Sequence, residues 1–149
     1  MYLYSQKGKR FMTQRNSGVL MHISSLPGKY GIGSFGQSAY DFVDFLVETK
    51  QTYWQILPLT TTSYGDSPYQ SFSAIAGNPH LIDFDLLIED GLLEEADVDG
   101  VNFGEQPDLV DYALIYQVRR PILEKAVRRF LSNDRNKALL AAFEKATST

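Results

Sequence analysis

Cysteine is absent from the 149 residues, so neither disulfides nor thiolate metal sites enter the reading. Histidine is scarce: His22 and His80 stand alone and far apart in sequence, which does not make a histidine zinc centre. No metal and no cofactor are therefore expected. No apolar run approaches the roughly 18 residues of a membrane span, and the N-terminus lacks a signal-peptide core. The expected compartment is a reducing cytoplasm, with no membrane partner. A basic excess is missing too. The net charge of -4 speaks against a broad nucleic-acid surface. What remains is a chain that is 44% hydrophobic and 21% charged, able to build a core, with a length that fits about one domain.

The most informative stretch begins with a short apolar run, Tyr53-Trp54-Gln55-Ile56-Leu57, closed by Pro58. It reads as a buried strand that ends where proline supplies no N–H for a ladder. Then comes Tyr64-Gly65-Asp66-Ser67-Pro68-Tyr69-Gln70-Ser71-Phe72-Ser73. Gly65 and Pro68 shape its backbone. Tyr64, Tyr69 and Phe72 offer flat apolar faces, while Asp66, Ser67, Gln70 and Ser71 offer short hydrogen-bonding arms. Such a surface suits a ligand that alternates C–H patches with hydroxyls, as a sugar does. An ordinary loop whose aromatics cap a core would have the same composition.

The rest of the chain supplies a frame for that loop. Residues 1–14 are polar and aperiodic and read as a disordered leader; Lys7-Gly8-Lys9-Arg10 ahead of Met12 has the look of a translated ribosome-binding site, which makes Met12 the expected natural start. Gly18 to Ile23 reads as a first strand, nearly continuous in apolar residues, as in a sheet covered on both faces. A helix over about Gln37 to Lys50 places Ala39, Phe42, Val43 and Leu46 on one face. With the Tyr53–Leu57 strand this makes a right-handed βαβ unit with parallel strands.

Gly31-Ile32-Gly33-Ser34-Phe35-Gly36 is a literal G-x-G-x-x-G. Its context is wrong for a dinucleotide: Ser24 to Tyr30 separate it from the strand, and the second strand ends without an acid for the ribose. These glycines are expected to fold a long loop tightly over the strand ends. His22 lies at the carboxyl end of its strand, where such folds place ligands. A histidine bonded to backbone is the plainer alternative.

Leu81 to Phe84 reads as a further strand, which would put Asp83 and Asp85 on one face. A paired-carboxylate site is one reading of them, and solvated or capping acids the other. Leu86 to Ile88 suggests a short helix with Gly91 at its C-terminal side. Glu94, Glu95, Asp97 and Asp99 look like a charged surface turn. From Asp111 the spacing of Leu114, Ile115, Val118, Ile122, Leu123, Ala126, Val127 and Phe130 is helical, and Pro121 is expected to kink or restart the helix. Arg119, Arg120, Lys125, Arg128, Arg129, Arg135 and Lys137 stand against only Glu124 and Asp134 over the same span; an RNA- or partner-binding helix is one reading, and a solvated face with Arg120, Glu124 and Arg128 at i, i+4 spacing is the favoured one. A last helix runs from about Asn136 to Ala146.

Several stretches stand out together: Ser17-Gly18-Val19-Leu20 with His22, Ser24-Ser25-Leu26-Pro27-Gly28, Tyr30-Gly31-Ile32-Gly33, the run from Tyr53 through Leu59, Tyr64 through Ala74, and Gly77-Asn78-Pro79. With them, the chain from Arg15 to about Leu93 resembles the N-terminal part of bacterial 4-alpha-glucanotransferases, the amylomaltases or disproportionating enzymes. Beyond Leu93 the likeness is looser, though Val110-Asp111-Tyr112 fits the family's helical insertion.

The resemblance implies an α/β fold, the N-terminal portion of a (β/α)8 barrel with a helical insertion, incomplete within this chain. Its divisions would be residues 1–14 as leader, 15–93 as the first βα units carrying the substrate loop, and 94–149 as a mainly helical insertion. It also implies a retaining transfer of 1,4-alpha-glucan segments to an acceptor sugar, through a glycosyl-enzyme intermediate and an acid/base carboxylate. Tyr69 would pack on the donor sugar, with Ser67, Asp66 and Gln70 lining the same pocket. Tyr64 and Tyr112 resemble aromatics of a secondary glucan groove.

The family's catalytic carboxylates lie on later strands, so no catalytic residue is assigned; Asp66, Asp83 and Asp85 are not promoted to the role. The expected ligand is an alpha-1,4-glucan or maltooligosaccharide. The remainder of the barrel, or a second copy of the chain, is the expected protein partner. A catalytically inactive glucan- or partner-binding module is the alternative.

Overall fold

The computed structural model describes residues 16–63, 65–106 and 108–147. The reading of residues 1–14 as a leader, and of Met12 as the start, lies outside them. So does Tyr64.

The first strand, β1, is Gly18–Leu20, and helix α1 spans Gln37–Glu48. Strand β2 is Tyr53–Gln55 and pairs with β1 in parallel, Gly18 opposite Tyr53, Val19 opposite Trp54 and Leu20 opposite Gln55. This is the βαβ arrangement that the apolar pattern predicts. Both strands are shorter than predicted. One further ladder bond, from the Met21 N–H to the Gln55 carbonyl, closes the pairing before Ile23–Ser25 curls into a 3-10 turn. Coverage also differs. Val19 and Trp54 are half-buried, while the residues on either side of them in each strand are exposed. Two strands with no further neighbours among the described residues leave one face and both edges bare.

A first core gathers on the covered face: Ile23, Leu26, Ala39 and Leu81, with Met21, Phe42, Trp54 and Leu59 against them. The Trp54 indole meets the Phe42 ring edge-on at 4.9 Å and donates its N–H to the Met21 carbonyl at 2.7 Å. Val43, expected on the inner face of α1, is exposed. The glycine-rich loop behaves as its composition suggests. Gly31 has φ +78, and a Cβ at Gly33 would run into the carbonyls of Ile23 and Leu26. The loop therefore lies directly on the turn after β1.

The strand expected at Leu81–Phe84 does not form. Two capping residues decide the region instead. The Asn78 carboxamide oxygen accepts from the His80 N–H and opens a 3-10 turn, Pro79–Leu81, with proline at its first position. The Asp83 carboxylate accepts from the N–H groups of Asp85 and Leu86 and opens helix α2, Phe84–Glu89. Side-chain caps of this kind compete directly with a ladder. Gly91, at φ +71, ends the α2 region as predicted, with the Leu92 N–H returning to the Leu87 carbonyl.

The acidic run is more than a surface turn. Glu94 and Asp97 form a reciprocal capping box around helix α3, Glu95–Val98, and Val98 is buried. Helix α4 then runs unbroken over Tyr112–Ser132, through Pro121. A proline inside a helix costs about 3 kcal/mol. Ile115, Arg119, Ile122 and Ala126 are buried on both sides of it and hold the two halves to one core. That second core joins Tyr30, Phe84, Leu93, Val98, Phe103, Ile122 and Ala126. The Tyr30 ring lies 5.1 Å from Phe84 and 5.3 Å from Phe103. Lys125 and Arg129 tie α4 to the Asp97 carboxylate, and Arg129 also reaches Glu94 at 3.1 Å. These contacts hold the Asp97 carboxyl down to about 2, the Glu94 backbone N–H contributing most. Helix α5, Lys137–Thr147, completes the described chain one residue later than expected, with Leu139 and Phe143 exposed and none of its residues fully buried.

Candidate functional site

The segment after β2 is a loop that carries its own scaffold. Its stem is tied by the Thr60–Gly77 antiparallel bridge, in which the Asn78 N–H meets the Leu59 carbonyl at 2.8 Å. Further out, the Ser63 N–H donates to the Gln70 carbonyl at 2.8 Å. Inside that bracket sit two turns, Asp66 N–H to Ser63 carbonyl and Gln70 N–H to Ser67 carbonyl, each 3.0 Å. Gly65 and Asp66 both have positive φ, 87 and 54. Aspartate enters the left-handed region more readily than most residues, and the glycine does so freely. Serine hydroxyls hold the returning half: Ser73 Oγ accepts from the N–H groups of Ile75 and Ala76 at 3.2 and 3.1 Å.

This scaffold divides the candidate residues between two sides. Tyr69 is 73% exposed and Phe72 85%, so their rings serve no core. Gln70 is exposed beside them. Ser67 spends its hydroxyl on the loop, accepting from the Tyr69 N–H at 3.3 Å. Asp66 points the other way. It lines a small cavity of about 140 Å³ together with His22, Ser24, Thr60, Asn78 and Tyr112. Tyr112 thus shares a cavity with Asp66.

His22 accepts from the Leu57 N–H through Nδ1 at 3.3 Å. Partial burial pushes its pKa below the usual histidine value, which keeps that nitrogen an acceptor. The histidine therefore buttresses the start of the loop while it faces the cavity.

Asp83 and Asp85 are not a pair on a strand. Asp83 caps α2 and takes a hydrogen bond from the Ser34 hydroxyl. Asp85 binds Lys29 at 2.7 Å and the Tyr30 hydroxyl. Burial and the Asp85 carboxylate raise the Tyr30 phenol to about 12. Both acids are occupied structurally. Among the described residues no cluster of three or more His, Cys, Asp or Glu side chains is placed to hold a metal ion.

A second concave surface, of about 660 Å³, lies between the loop stem and α4. Tyr116, His80, Leu123 and Val127 form its floor, with Arg120 and Arg128 at its rim. The Tyr116 ring is partly exposed there. Tyr116 is not among the candidates read from the sequence, and nothing in helical spacing singles it out. Its proximity to the loop is a tertiary fact. Arg119, counted among the basic residues of this span, is fully buried.

The comparisons with known proteins agree with one another. The family model described as 4-alpha-glucanotransferase matches residues 21–149. The 4-alpha-glucanotransferase of Streptococcus pneumoniae is 75% identical over 119 residues, 80% of this chain and 24% of that protein. That of Clostridium butyricum is 59% identical over 114 residues, 76% of this chain and 23% of that protein. Among solved structures, the amylomaltase from Streptococcus agalactiae in complex with acarbose superposes with a TM-score of 0.87 at 60% identity, over 91% of this chain and 27% of that one. The chain spans about a quarter of the length of these relatives. Since the family model covers most of the chain, and the loop scaffold lies within the matched residues, the chain belongs to the 4-alpha-glucanotransferase family.

Proposed function

We propose that these 149 residues act as the N-terminal portion of a cytoplasmic 4-alpha-glucanotransferase, and that the loop from Thr60 to Gly77 forms part of its donor-site wall. The observation that carries the reading is the bare Tyr69 ring, held out from a loop that organises itself. An aromatic face of that kind suits the C–H face of a sugar, and hydroxyl and amide groups surround it. The βαβ unit of β1, α1 and β2 would be the opening unit of a (β/α)8 barrel, whose ligands sit at the carboxyl ends of strands. The loop follows the carboxyl end of β2. The α4 region would be the helical insertion.

Chemically, the reaction would be a retaining transfer. One carboxylate takes the glucan as a glycosyl-enzyme intermediate, a second works as acid and base, and an acceptor sugar replaces water. Neither carboxylate is assigned to this chain. Tyr69, Ser67, Asp66 and Gln70 would shape and orient the donor. For the secondary glucan contact the geometry favours the groove at Tyr116 over Tyr112, which faces the small cavity with Asp66.

The test joins this chain in frame to the remaining three-quarters of the Streptococcus pneumoniae relative and assays disproportionation of maltotriose. The joined protein is expected to release glucose and longer maltodextrins; the 149 residues alone are expected to release none. A joined protein that folds and binds acarbose without turnover would favour the second reading, a glucan-binding module, which the exposed faces of Tyr69 and Phe72 also suit.

A further inference from the structure

The loop from Thr61 to Ala76 is held almost wholly by itself. Among the described residues, one hydrogen bond leaves it: Thr62 Oγ1 and the Tyr116 hydroxyl are 2.7 Å apart, 54 positions apart in sequence. The same tyrosine ring is met edge-on by His80, with ring centroids 4.8 Å apart. Thr62 lies on the outgoing arm of the loop, and His80 lies just beyond its returning arm. Tyr116 therefore contacts the outgoing arm and the segment just past the returning arm at once.

One turn further along α4, Arg119 fastens the returning segment again, donating to the Ile82 carbonyl at 2.6 Å. The His80 side chain is itself buried, and the His80 backbone N–H donates to the Asn78 carboxamide oxygen, while the Asn78 backbone N–H closes the stem on the Leu59 carbonyl. A continuous set of contacts thus runs from α4 through Tyr116 to the base of the turn that presents Asp66 and Tyr69.

We propose that Tyr116 is a positioning residue for this loop: its hydroxyl on Thr62 and its ring against His80 set the orientation in which Asp66 and Tyr69 meet the donor glucan. The role rests on the donor-wall reading, and it is separate from any contact of the ring with sugar in the adjoining groove. Without the clamp the loop keeps its internal turns but samples more orientations. Ligand then binds only the competent fraction, and apparent affinity falls by that fraction.

Two conservative variants isolate the clamp. Tyr116→Phe keeps the ring, its packing on His80 and any stacking on sugar. Thr62→Val removes the other half of the same hydrogen bond. Hydrogen exchange of the 149-residue chain reads the loop directly, through the amides of Ser63 and Gln70, with α1 amides as control. Each variant is expected to speed loop exchange roughly three- to tenfold, the equilibrium worth of one hydrogen bond, with α1 unchanged. The double variant is expected to be no faster than either single one. Unchanged loop exchange, equal acceleration in α1, or additive effects would overturn the proposal.

The joined enzyme gives the second readout. Each variant is expected to raise KM for maltotriose by a similar factor while kcat holds. A fall in kcat at constant KM would count against the clamp. An inactive joined parent would defeat the donor-wall reading instead, and the exchange result would still decide the clamp.

Discussion

The guanidinium of Arg119 lies 4.0 Å above the ring of Phe84, and both side chains are sealed from water. Its bonds run to carbonyls, at 3.1 Å to Tyr30 and 2.6 Å to Ile82, with no carboxylate among its hydrogen-bond partners. Burial brings its pKa down to about 10, with Asp83 pulling the other way, so it stays charged at neutral pH. This one side chain joins α4 to the glycine-rich loop and to the approach to α2. Arg119→Ala is expected to destabilise the chain by about 3–5 kcal/mol, since it opens a cavity and leaves two buried carbonyls without donors. Arg119→Lys is expected to recover only a minor part, because an ammonium lacks the planar fork and the stacking face. Urea midpoints for the three proteins check this. A loss under about 1 kcal/mol for Arg119→Ala would show that the segments hold together without it.

Acid should loosen the loop stem before it unfolds the rest. His80 and His22 both have pKa values lowered by burial, His80 additionally by the Arg119 charge. A histidine depressed in the fold contributes stability that is fully present above its unfolded value of about 6.5 and is lost as pH falls through the folded value. The carboxylates with lowered values, Asp85 and Asp97, act in the same direction but only below about 4. Around His80 stand Tyr116 and Arg119 from α4, with Arg120, Glu124 and Arg128 along the same groove. The expected result is a first stability loss as pH drops below about 6.5 and a second below about 4. His80→Phe should remove most of the first. A stability profile flat from pH 7.5 to 5 would contradict it.

Tyr69 separates binding from folding. Its ring is mostly in water, so Tyr69→Ala should change the stability read from urea unfolding by no more than about 0.5 kcal/mol. In the joined enzyme Tyr69→Ala should cost about 0.5–1.5 kcal/mol in kcat/KM, while Tyr69→Phe stays near the parent, because the ring face makes the contact. Equal small kinetic effects for both, or a large stability loss for Ala, would turn Tyr69 into a packing residue.

Local signals carried much of this molecule, and the failures have a common cause. The βαβ unit was legible because apolar periodicity and the proline after β2 are local. The loop was legible because Gly65, Pro68 and the serines fix turns within a few residues. The strand expected at Leu81–Phe84 failed because an apolar run does not outweigh the caps at Asn78 and Asp83, both of which were present in the sequence. The helix continues through Pro121 because residues on both sides of it are buried, and Arg119 falls in helical register with Ile115, Ile122 and Ala126 on that buried face, a placement hidden from a reading that follows apolar residues alone. Tyr112 and Tyr116 are one turn apart on α4, and which of them faces which concavity depends on residues far off in sequence.

The exposed apolar faces of the βαβ unit and of α5 yield the last expectation. Leu20 and Tyr53 are exposed on the two strands, Phe45 and Val47 on α1, and Leu139 and Phe143 on α5. Neither β1 nor β2 has another partner strand among the described residues, so each leaves a row of backbone N–H and C=O groups unpaired. Such edges recruit other strands, and a two-stranded sheet is marginal in water. Apolar surface beyond a few hundred Å² also favours association. The 149-residue chain is therefore expected to self-associate at micromolar concentration and to bind a hydrophobic dye. Joining it to the remaining three-quarters of a relative should abolish both behaviours and raise the urea midpoint. A monomeric elution profile, a cooperative thermal transition and no dye binding by the 149 residues alone would show instead that the two-strand sheet is sufficient, and that these faces need no partner.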